Sequence, residues 1–552
     1  MRVRSLAQDV GSVAQDAWTL LTARTRTGSR RSPSAIVGDL RRLARLARRV
    51  GGGNAAAGRP IADRLLTDHP DLRMALISAV ASDVQRGELT SALEAVRRLR
   101  SLSDTTRFRE REARIVDRLR ELEPGWLPAI PGPPGPIDPR ATNVVMHLLK
   151  ASLPDRSSGY TIRSRETLRA QVEAGLDPFV VTPFGYPPGR PDAPPIEHVE
   201  GVAHHRLAPG VTVEDLAPAD ALGRMAVGAA EVARLERPAI IHAASGHRGY
   251  ENALVGLALK AHLQLPLVYE VRGFLETSWT GDPTLVDGSH VAELTRRRMA
   301  TEDRVMAAAD GIATLGIAMR DELVARGVPS DKIIVVPNGI DPVAFAPTAP
   351  DPDLRRRYGL DGRFVFGYIS NLDHVREGHD LLIEATARLL AAGRAVACLI
   401  VGDGLRRVEL EAKAAEAGVA DSVVFTGRVP HDEVRSHYAL LDAFVIARVP
   451  GRAAHFTTPL KPYEAMAMGI PLVVSDLPAL TEIAAPGERG SAFPPGDAAA
   501  LVAVLERLMD QPASGASMAA AGRSWVLAER TWASNGPRYR ALYERILAGT
   551  QR

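Results

Sequence analysis

The sequence predicts an α/β protein in which two parallel β-sheets follow an α-helical N-terminal region. From about residue 142 onward, short apolar runs rich in β-branched residues alternate with stretches of helical character. Continuous apolar strands separated by helices are typical of parallel sheets buried on both faces. These runs form two series with a break near residues 345–360, which indicates two Rossmann-like domains. Before Trp126 the pattern is helical only.

The helical region, residues 1–125, is basic. Residues 1–50 contain 11 arginines and 3 aspartates, whereas the whole chain of 552 residues has a formal charge of +3. Within residues 35–50, apolar side chains recur at helical spacing at Ile36, Leu40, Leu43, Leu46 and Val50. Arginines fill the remaining arc at Arg41, Arg42, Arg45, Arg48 and Arg49, and Gly51 to Gly53 are expected to end the helix. Such a helix can lie on an anionic membrane or pack within a small bundle, and the sequence leaves both interpretations open.

A segment dense in proline and glycine, residues 126–141, is predicted to be a semi-rigid linker. The predicted Rossmann-like domains are residues 142–345 and 346–529, followed by a C-terminal helix in residues 530–552. The predicted strands of the first domain are residues 143–149, 178–183, 239–244, 265–271 and 331–337, and those of the second are residues 364–370, 395–402, 422–427, 443–448 and 470–476. Ligands of such sheets bind outside the carboxyl ends of the strands, so chemistry is expected in the cleft between the two domains.

Composition excludes several classes of protein. No window approaches 18 consecutive apolar residues, so no membrane-spanning helix is expected. The first residues lack the apolar core and cleavage site of a secretory signal. The single cysteine, Cys398, cannot form an internal disulfide or a cysteine-based zinc site. A cytoplasmic protein is therefore expected.

Residues Thr458–Ile483 read TPLKPYEAMAMGIPLVVSDLPALTEI. This segment and five others resemble the large retaining family of GT-B-fold glycosyltransferases, glycosyltransferase group 1 or family 4, in its bacterial envelope and exopolysaccharide branch. The others occur in the order expected for the family and together span about residues 142–547: residues 152–168, 269–276, 336–345, 376–390 and 530–547. The resemblance implies an acceptor domain first, a nucleotide-sugar domain second, and a last helix that crosses back onto the first domain.

The resemblance also implies the donor-binding residues. Glu464 would accept hydrogen bonds from the donor ribose, and Lys461 would bind the diphosphate beside the turn that contains Thr458 and Leu460. The remaining expected donor contacts are Arg376 with phosphate, and Gly402, Gly427 and Val429 with the nucleotide. Tight-turn roles for the glycines and a solvated position for Lys461 remain alternatives.

On the acceptor side, Gly159 would let the backbone approach the transferred sugar or the diphosphate. Arg272 stands where many relatives have a histidine, and because an arginine cannot act as a base it would stabilise charge or anchor the acceptor. Glu270 and Glu276 are expected to meet acceptor hydroxyls, with pairing of Glu270 to Arg272 as the alternative. Phe456 stands where many relatives carry a first glutamate that contacts the sugar. The arginine and lysine that the resemblance implies after the first strand of the second domain are also not plainly present, so Arg376, Arg448, Arg452 and Lys461 are candidates for the phosphate charge.

The function expected from this resemblance is retaining, metal-independent transfer of a sugar from a UDP- or GDP-sugar, with no cofactor. The acceptor would be a glycan, a lipid-linked molecule or a small molecule in envelope or exopolysaccharide synthesis. The alternative is a catalytically degenerate GT-B scaffold that docks through its helical region. Residues 1–125 are expected to meet an anionic membrane surface or a protein partner rather than nucleic acid, because aromatic residues do not interleave the basic stretch. The expected location is the cytoplasm, peripheral at the inner membrane face.

Overall fold

The computed structural model describes residues 16–17, 32–51, 58–213, 216–276, 291–430 and 432–550. They belong to two compact units. The helical unit consists of residues 1–132, 212–228 and 275–305, and the two-sheet unit consists of residues 133–211, 229–274 and 306–552. Gly52, Gly53 and most of the N-terminal segment without signal-peptide features lie outside the described residues. Within the described residues, no helix combines the length and the apolar character needed to span a membrane.

The helical unit is built from amphipathic helices. Between residue 32 and residue 121, the described residues form the helices α1 (Pro33–Gly51), α2 (Arg59–Asp68), α3 (Arg73–Arg86), α4 (Leu89–Leu102) and α5 (Thr106–Arg120). Leu43 and Leu46 of α1 are buried in one cluster with Leu65, Leu72 and Met74. Burial of each such leucine side chain contributes about 1.5–3 kcal/mol to folding. The apolar face of α1 is therefore used inside the unit, which favours the packed-bundle interpretation of this helix.

A distant segment of the chain completes the helical unit. The helix α7 (Pro218–Glu236) begins in this unit, and most of α9 (Glu293–Ala308) belongs to it. The Glu293 carboxylate accepts hydrogen bonds from the backbone N–H of Thr90 at 2.8 Å and from its hydroxyl at 2.5 Å. These donors lie in the first turn of α4, where a negative charge is favourable because the first N–H groups of a helix have no intrahelical partner.

The first sheet of the two-sheet unit has eight strands in the order β3-β4-β2-β1-β5-β6-β7-β8. The strands are β1 (Val144–Leu148), β2 (Asp177–Val181), β3 (Ile196–Val199), β4 (Val202–His205), β5 (Ile240–Ala244), β6 (Leu267–Val271), β7 (Gly311–Thr314) and β8 (Ile333–Val335). All neighbours pair in parallel except β3 and β4, which form an antiparallel edge. Helices of the two-sheet unit that lie between these strands in the chain include α6 (Gly159–Glu173), α8 (Glu251–Leu263) and α10 (Ile317–Ala325).

The second sheet has six parallel strands in the order β11-β10-β9-β12-β13-β14. They are β9 (Phe364–Ile369), β10 (Val396–Val401), β11 (Val423–Phe425), β12 (Ala443–Ile446), β13 (Leu472–Ser475) and β14 (Ser491–Phe493). The helices that follow β8 are α11 (Pro352–Arg357), α12 (His379–Ala391), α13 (Arg407–Glu416), α14 (Val434–Tyr438), α15 (Arg452–Phe456), α16 (Lys461–Ala467), α17 (Pro478–Ala484), α18 (Ala498–Asp510), α19 (Pro512–Glu529) and α20 (Gly536–Thr550).

The fold class predicted from the sequence is confirmed, since two largely parallel sheets alternate with helices behind a helical region. Each of the ten predicted strands overlaps a strand of the structure. The sequence analysis missed β3, β4, β7 and β14. β3 and β14 lie at sheet edges. β3, β4 and β7 have only four residues each and β14 has three, so these strands lack a long apolar run.

The last helix packs on the first sheet. Tyr539, Leu542, Tyr543 and Ile546 of α20 are buried in one cluster with apolar side chains of the central strands: Val145, Ile240, Val268 and Ala313. Ile340 pairs with Thr531 in an isolated parallel bridge, so the chain passes side by side where it leaves the first sheet and where it returns. Residues 126–141 contain neither helix nor strand.

Candidate active site

The turn of residues 457–460, which precedes α16, lies against residues at the carboxyl edge of the first sheet. The side-chain amide of Asn338 donates to the carbonyl of Thr458 at 3.0 Å. A Cβ atom on Gly159 would lie 3.3 Å from Leu460 Cδ1, and one on Gly273 would lie 3.6 Å from Thr457 Oγ1. The structure therefore brings together Gly159, Thr458 and Leu460, three of the residues predicted to form the site.

The start of α6 fixes the position of Gly159. Ser158 is the N-cap residue, and its backbone N–H donates to Thr161 Oγ1 at 2.9 Å while its own hydroxyl accepts from the backbone of Thr161. This reciprocal capping box satisfies two donors at the helix N-terminus and sets where the helix begins. Gly159 is the first residue of the helix, and its missing side chain leaves the room occupied by Leu460.

Glu270, near the end of β6, is the centre of a buried polar network. Its Oε1 accepts from Arg163 Nε and Nη2 at 3.0 and 2.6 Å and from the Tyr539 hydroxyl at 3.0 Å. Its Oε2 accepts from Arg272 Nε and Nη2 at 3.0 and 2.7 Å, and His242 Nε2 lies 3.1 Å away. Burial opposes the charge, but Arg272 and Arg163 hold the pKa of the Glu270 carboxyl well below its usual range.

Arg272 reaches from this network to α6. Its Nη1 donates to Ser164 Oγ at 2.6 Å, and the guanidinium carbon lies 4.7 Å from the centre of the Tyr160 ring. Burial works against the charge, yet attraction to Glu270 leaves the pKa of Arg272 raised. Arg272 is therefore a fixed cation two residues from Glu270 and beside the start of α6, and it has no role as a proton acceptor.

Glu270 and Glu276, the two predicted acceptor contacts, do not lie together in an acceptor site. Glu270 has 0% exposure and both of its carboxylate oxygens are occupied, so it offers no oxygen to an acceptor hydroxyl. The alternative, pairing with Arg272, is what the structure shows. Glu276 is buried and belongs to the helical unit, and residues 277–290, which follow it, lie outside the described residues.

Arg163 and Asn338 join the Glu270 network to the 457–460 turn. Arg163 Nη1 donates to Asn338 Oδ1 at 2.9 Å, and Arg163 Nη2 donates to the carbonyl of Val336 at 2.8 Å. Asn338 in turn donates to the carbonyl of Thr458. Both side chains are 3% exposed, so this continuous set of hydrogen bonds is shielded from water and ties the turn to the first sheet.

Lys461 and Glu464 stand on one face of α16, three positions apart. Glu464 Oε2 accepts from the Tyr438 hydroxyl at 2.7 Å, and its other carboxylate oxygen has no hydrogen-bond partner within the described residues. Lys461 is half-buried and likewise pairs with no carboxylate in the described part of the chain. The hydroxyls of Thr457 and Thr458 are buried and have no hydrogen-bond partner among the described residues. The 457–460 turn thus offers two hydroxyls, and α16 offers the cation of Lys461 and one carboxylate oxygen of Glu464.

A second buried ion pair supports the same turn. Arg448, which follows β12, lies 3.1 and 3.2 Å from the two oxygens of Glu377 and donates from Nη1 to the carbonyl of Thr457 at 3.1 Å. Burial opposes ionisation of Glu377, but Arg448 and the hydroxyl of Tyr368 lower its pKa to about 2. Arg376, predicted to contact phosphate, is 44% exposed and pairs with Glu377 at 3.1 Å.

The other three predicted donor contacts lie where the second sheet ends. Gly402 and Gly427 form an isolated antiparallel bridge, and a Cβ atom on Gly402 would lie 1.9 Å from the carbonyl oxygen of Ser370. Both glycines have positive φ angles, so the backbone pairing itself requires glycine at these positions. Val429 packs, partly buried, against the core of the second sheet. No group of three or more histidine, cysteine, aspartate or glutamate side chains suited to a metal ion occurs in the described ranges.

Known protein families match both sheets of this unit. Residues 158–339 match the family described as "Glycosyl transferase 4-like domain", and residues 363–511 match "Glycosyl transferases group 1". The chain belongs to the group 1 glycosyltransferases. The two matched ranges include Gly159, Arg272, Glu377 and Glu464, and thus both sides of the geometry described above.

Curated relatives agree with this membership, and a solved structure shares the fold. The chain is 32% identical to a 2-deoxystreptamine glucosyltransferase of Streptomyces kanamyceticus, over 45% of this chain and 64% of the relative. It is also 32% identical to a GDP-mannose-dependent alpha-(1-6)-phosphatidylinositol monomannoside mannosyltransferase of Mycolicibacterium smegmatis, over 42% of this chain and 61% of the relative. The chain thus covers less than two thirds of either relative. A sucrose-phosphate synthase from Thermosynechococcus elongatus shares the fold with a TM-score of 0.59 at 20% identity, over 74% of this chain and 100% of that one.

This group 1 glycosyltransferase has an aromatic cluster at the position where a first glutamate is expected from the family resemblance. Phe456 packs edge-to-face on Phe274, with ring centres 5.4 Å apart. The Arg452 guanidinium lies 4.6 Å from the centre of the Phe274 ring and pairs with Glu322 at 2.6 Å. Arg452, predicted as a source of phosphate charge, is therefore paired with a carboxylate.

Sequence analysis of this group 1 glycosyltransferase missed several residues that hold the site together. Arg163 and Asn338 are the partners of Glu270 and Thr458, and Tyr438 is the partner of Glu464. Lys150, at the carboxyl end of β1, was also missed. The position of Lys150 after a predicted strand is a sequence signal for a ligand contact. The pairings of Arg163, Asn338 and Tyr438 join residues 26 to 175 positions apart and leave no local signal.

Proposed function

We propose that the chain transfers a sugar from a nucleoside diphosphate sugar to an acceptor hydroxyl, with retention of configuration and without a resident metal ion. The observation that carries this proposal is the pair formed by Lys461 and Glu464 on one helix face. A half-buried lysine without a carboxylate partner among the described residues is a suitable contact for a diphosphate. A carboxylate with one oxygen held by Tyr438 and the other open is a suitable acceptor for ribose hydroxyls.

The leaving diphosphate develops the largest charge in such a transfer, so the site must stabilise it. Lys461 supplies a positive charge at the 457–460 turn. The buried hydroxyls of Thr457 and Thr458 are available as hydrogen-bond donors to phosphate oxygens. Arg448 and Asn338 hold the carbonyls of Thr457 and Thr458, so the turn need not reorganise when charge develops.

Arg272 would act on the other side of the transferred sugar. Its guanidinium is held by Glu270 and Ser164, so its positive charge has a fixed position beside the start of α6. In this proposal Arg272 stabilises negative charge on the leaving phosphate or on the acceptor oxygen, and the transferred sugar lies beside the backbone of Gly159. The proton of the acceptor hydroxyl passes to the leaving phosphate oxygen.

The names of the relatives support a nucleotide-linked donor. One relative is a glucosyltransferase and another is GDP-mannose-dependent. The donor proposed here is a UDP- or GDP-hexose, of which the name of the mannosyltransferase relative supports the GDP form. The proposed acceptor is a glycan, a lipid-linked molecule or a small molecule of the cell envelope.

Replacing Glu464 with glutamine tests the donor site. We expect one of UDP, GDP and ADP to raise the melting temperature of the wild-type protein. We expect the variant to bind that nucleotide about tenfold more weakly or worse, because a hydrogen bond to a charged partner contributes about 1.5–3 kcal/mol. Glu416→Gln, at the exposed end of α13, is the matched control and should bind as the wild type does. Equal binding by wild type and Glu464→Gln would contradict the proposed donor site.

Turnover separates an enzyme from a scaffold. With the donor sugar of the bound nucleotide and a panel of acceptors, proton NMR of the product should show the anomeric configuration of the donor. An inverted product would contradict the proposed mechanism. Nucleotide binding without turnover on any acceptor would instead favour a degenerate scaffold that docks through its helical unit.

We also propose that the helical unit binds an anionic membrane surface, which would place the transferase at the cytoplasmic face of the membrane. Arg41, Arg45 and Arg48 follow one another at helical spacing on α1, and all three are exposed. None of them pairs with a carboxylate among the described residues. The apolar face of α1 is buried in the bundle, so binding would depend on charge rather than on insertion.

The triple replacement of Arg41, Arg45 and Arg48 by glutamine tests this membrane proposal. We expect binding to vesicles with anionic lipid to weaken about 100-fold, because each basic residue near such a surface contributes about 1 kcal/mol. The matched control replaces Arg97, Arg98 and Arg100 of α4, which already pair with Glu112 and Asp71. Vesicle flotation with and without added salt measures the effect. The added salt is about 0.5 M, about five times the ionic strength at which the screening length is 10 Å, so it screens the attraction between arginines and lipid headgroups. Equal loss in both triple variants would contradict a role for the α1 arginines.

A further inference from the structure

A group of cations lies at the carboxyl ends of β1 and β5, and the proposed transfer does not use it. We call it the Lys150 cluster: Lys150 and Arg156 in the segment after β1, and His247, Arg248 and the carboxylate of Glu251 after β5. Lys150 lies two residues after the end of β1, and residues 245–249 follow β5, its neighbour in the sheet. Lys150 Nζ donates to the carbonyl of Gly246 at 3.1 Å, which joins the two loops.

Lys150 is pinned beside the start of α6. Its backbone N–H donates to the Tyr160 hydroxyl at 3.1 Å, and its Nζ lies 4.5 Å from the centre of the same ring. Arg272 contacts that ring as well, at 4.7 Å. Tyr160 follows Gly159, the residue that faces Leu460. The lysine therefore lies on the acceptor side of the proposed site, next to the fixed cation of Arg272.

The ammonium group of Lys150 is held where its charge lacks a matching anion. Burial lowers its pKa to about 8; Glu251 opposes this shift, and the charges of Arg272 and Arg156 reinforce it. Gly246 O takes one of the three Nζ–H donors, and no acceptor for the other two occurs among the described residues. Two donors of a half-buried ammonium are thus available to a ligand.

The rest of the cluster adds positive charge that is not neutralised. Arg156 is exposed and has no carboxylate partner within the described ranges, and the same holds for His247. Arg248 pairs with Glu251 at 2.7 Å, so the only carboxylate of the cluster is already engaged. Lys150, Arg156 and Arg248 against Glu251 leave a formal surplus of two positive charges. A phosphate group, which carries about −1.5 to −2 at neutral pH, matches this surplus.

We propose that the acceptor of this transferase carries a phosphate group, and that Lys150, Arg156 and His247 bind it. The proposal rests on the proposed function and names the chemical class of its acceptor. The donors are the two available Nζ–H groups of Lys150, the guanidinium of Arg156 and a ring N–H of His247. Bound there, the phosphate fixes the acceptor beside Gly159, so that a hydroxyl of the same molecule faces the transferred sugar. The phosphate belongs either to a soluble phosphomonoester or to a phospholipid headgroup.

Titration calorimetry of the full chain tests this phosphate site, with inorganic phosphate and glycerol 3-phosphate as probes. Saturating nucleotide is present, so that the donor diphosphate contacts are already occupied. We expect Lys150→Gln to weaken phosphate binding about tenfold or more while nucleotide affinity stays unchanged. Arg156→Gln, an exposed position that does not endanger folding, should weaken it in the same direction. Arg507→Gln, an exposed arginine of α18 without a partner among the described residues, is the control.

The outcomes separate this site from the donor site. Phosphate affinity that is equal in wild type, Lys150→Gln and Arg156→Gln would overturn the proposal. Loss of phosphate binding in Glu464→Gln but not in Lys150→Gln would overturn it too, because phosphate would then occupy the donor contacts. If no nucleotide binds, the proposed function fails, and the same titration without nucleotide still reports whether Lys150 binds phosphate.

A second arm distinguishes the two sources of phosphate. Vesicles of phosphatidylcholine with phosphatidylinositol are compared with vesicles of phosphatidylcholine alone. Weaker binding of Lys150→Gln to the phosphatidylinositol vesicles supports a phospholipid acceptor. Unchanged vesicle binding, together with weaker glycerol 3-phosphate binding, supports a soluble phosphomonoester. Unchanged binding to both probes overturns the proposal.

Discussion

Replacing Glu270 with glutamine is expected to lower the free energy of unfolding by about 3–5 kcal/mol, the cost of breaking a buried ion pair from one side. The substitution keeps the size of the side chain but removes the charge that Arg163 and Arg272 share. Both guanidiniums would then remain buried without a carboxylate partner. Urea unfolding of the variant measures the loss, and Glu416→Gln, an exposed glutamate, should change stability by less than about 0.5 kcal/mol.

The same replacement should also change how stability depends on pH. Despite its burial, Glu270 keeps a pKa well below its usual range because Arg272 and Arg163 stabilise its charge. A carboxyl whose pKa is depressed in the folded state stabilises the protein above its unfolded-state pKa, about 4.3, and loses that contribution as the pH falls further. Glu270→Gln should therefore lose less stability than the wild type between pH 5 and pH 3, about 1 unit either side of that value. Parallel acid limbs would contradict a charged Glu270.

Activity should fall with the loss of Glu270 even where the protein stays folded. Glu270 touches no ligand in the proposed site, since it is fully buried, and it acts by holding Arg272 in place. We therefore expect turnover to fall while nucleotide affinity stays near that of the wild type, since Lys461 and Glu464 are unchanged. Such a split marks Glu270 as a positioning residue.

The sequence predicted the parts of the fold that have local signals. Strands such as β10, with six buried residues, are apolar throughout, and a continuous apolar run predicts them directly. The edge strand β3 alternates exposed and half-buried residues and has only four of them, so no run of apolar side chains marks it. The antiparallel turn between β3 and β4 is a departure from the parallel pattern that periodicity could not indicate.

The site was predicted in part for the same reason. Gly159 and Leu460 lie in separate motifs, and the structure brings them into contact. What failed was the role of Glu270, because the local sequence does not show that Arg163 and Arg272 occupy both of its carboxylate oxygens. The deciding partner, Arg163, lies 107 positions before Glu270. The local sequence around Glu270 therefore gives no sign that Arg163 neutralises its charge.

Gly378 precedes α12, and the backbone there leaves no space for a side chain. Its φ angle is +73°, in the left-handed region, and a Cβ atom would lie 1.8 Å from the carbonyl oxygen of Ala447. Ala447 follows β12, so neither the backbone of the sheet nor the start of α12 can yield cheaply. Glu377, the preceding residue, holds Arg448, which donates to the carbonyl of Thr457. A displacement at Gly378 would therefore reach the turn that precedes Lys461.

Gly378→Ala is expected to destabilise the protein by about 3 kcal/mol or more, because strain and a backbone collision act together. Gly393→Ala is the matched control: its φ angle is +75° and nothing lies within 4 Å of the added Cβ, so it should cost only about 1 kcal/mol. The difference between the two variants in urea unfolding isolates the collision from the φ angle. Nucleotide affinity should fall in Gly378→Ala and not in Gly393→Ala, since only the first disturbs Glu377 and Arg448. Equal costs in the two variants would mean that the chain at Ala447 gives way, and nucleotide binding would then remain as in the wild type.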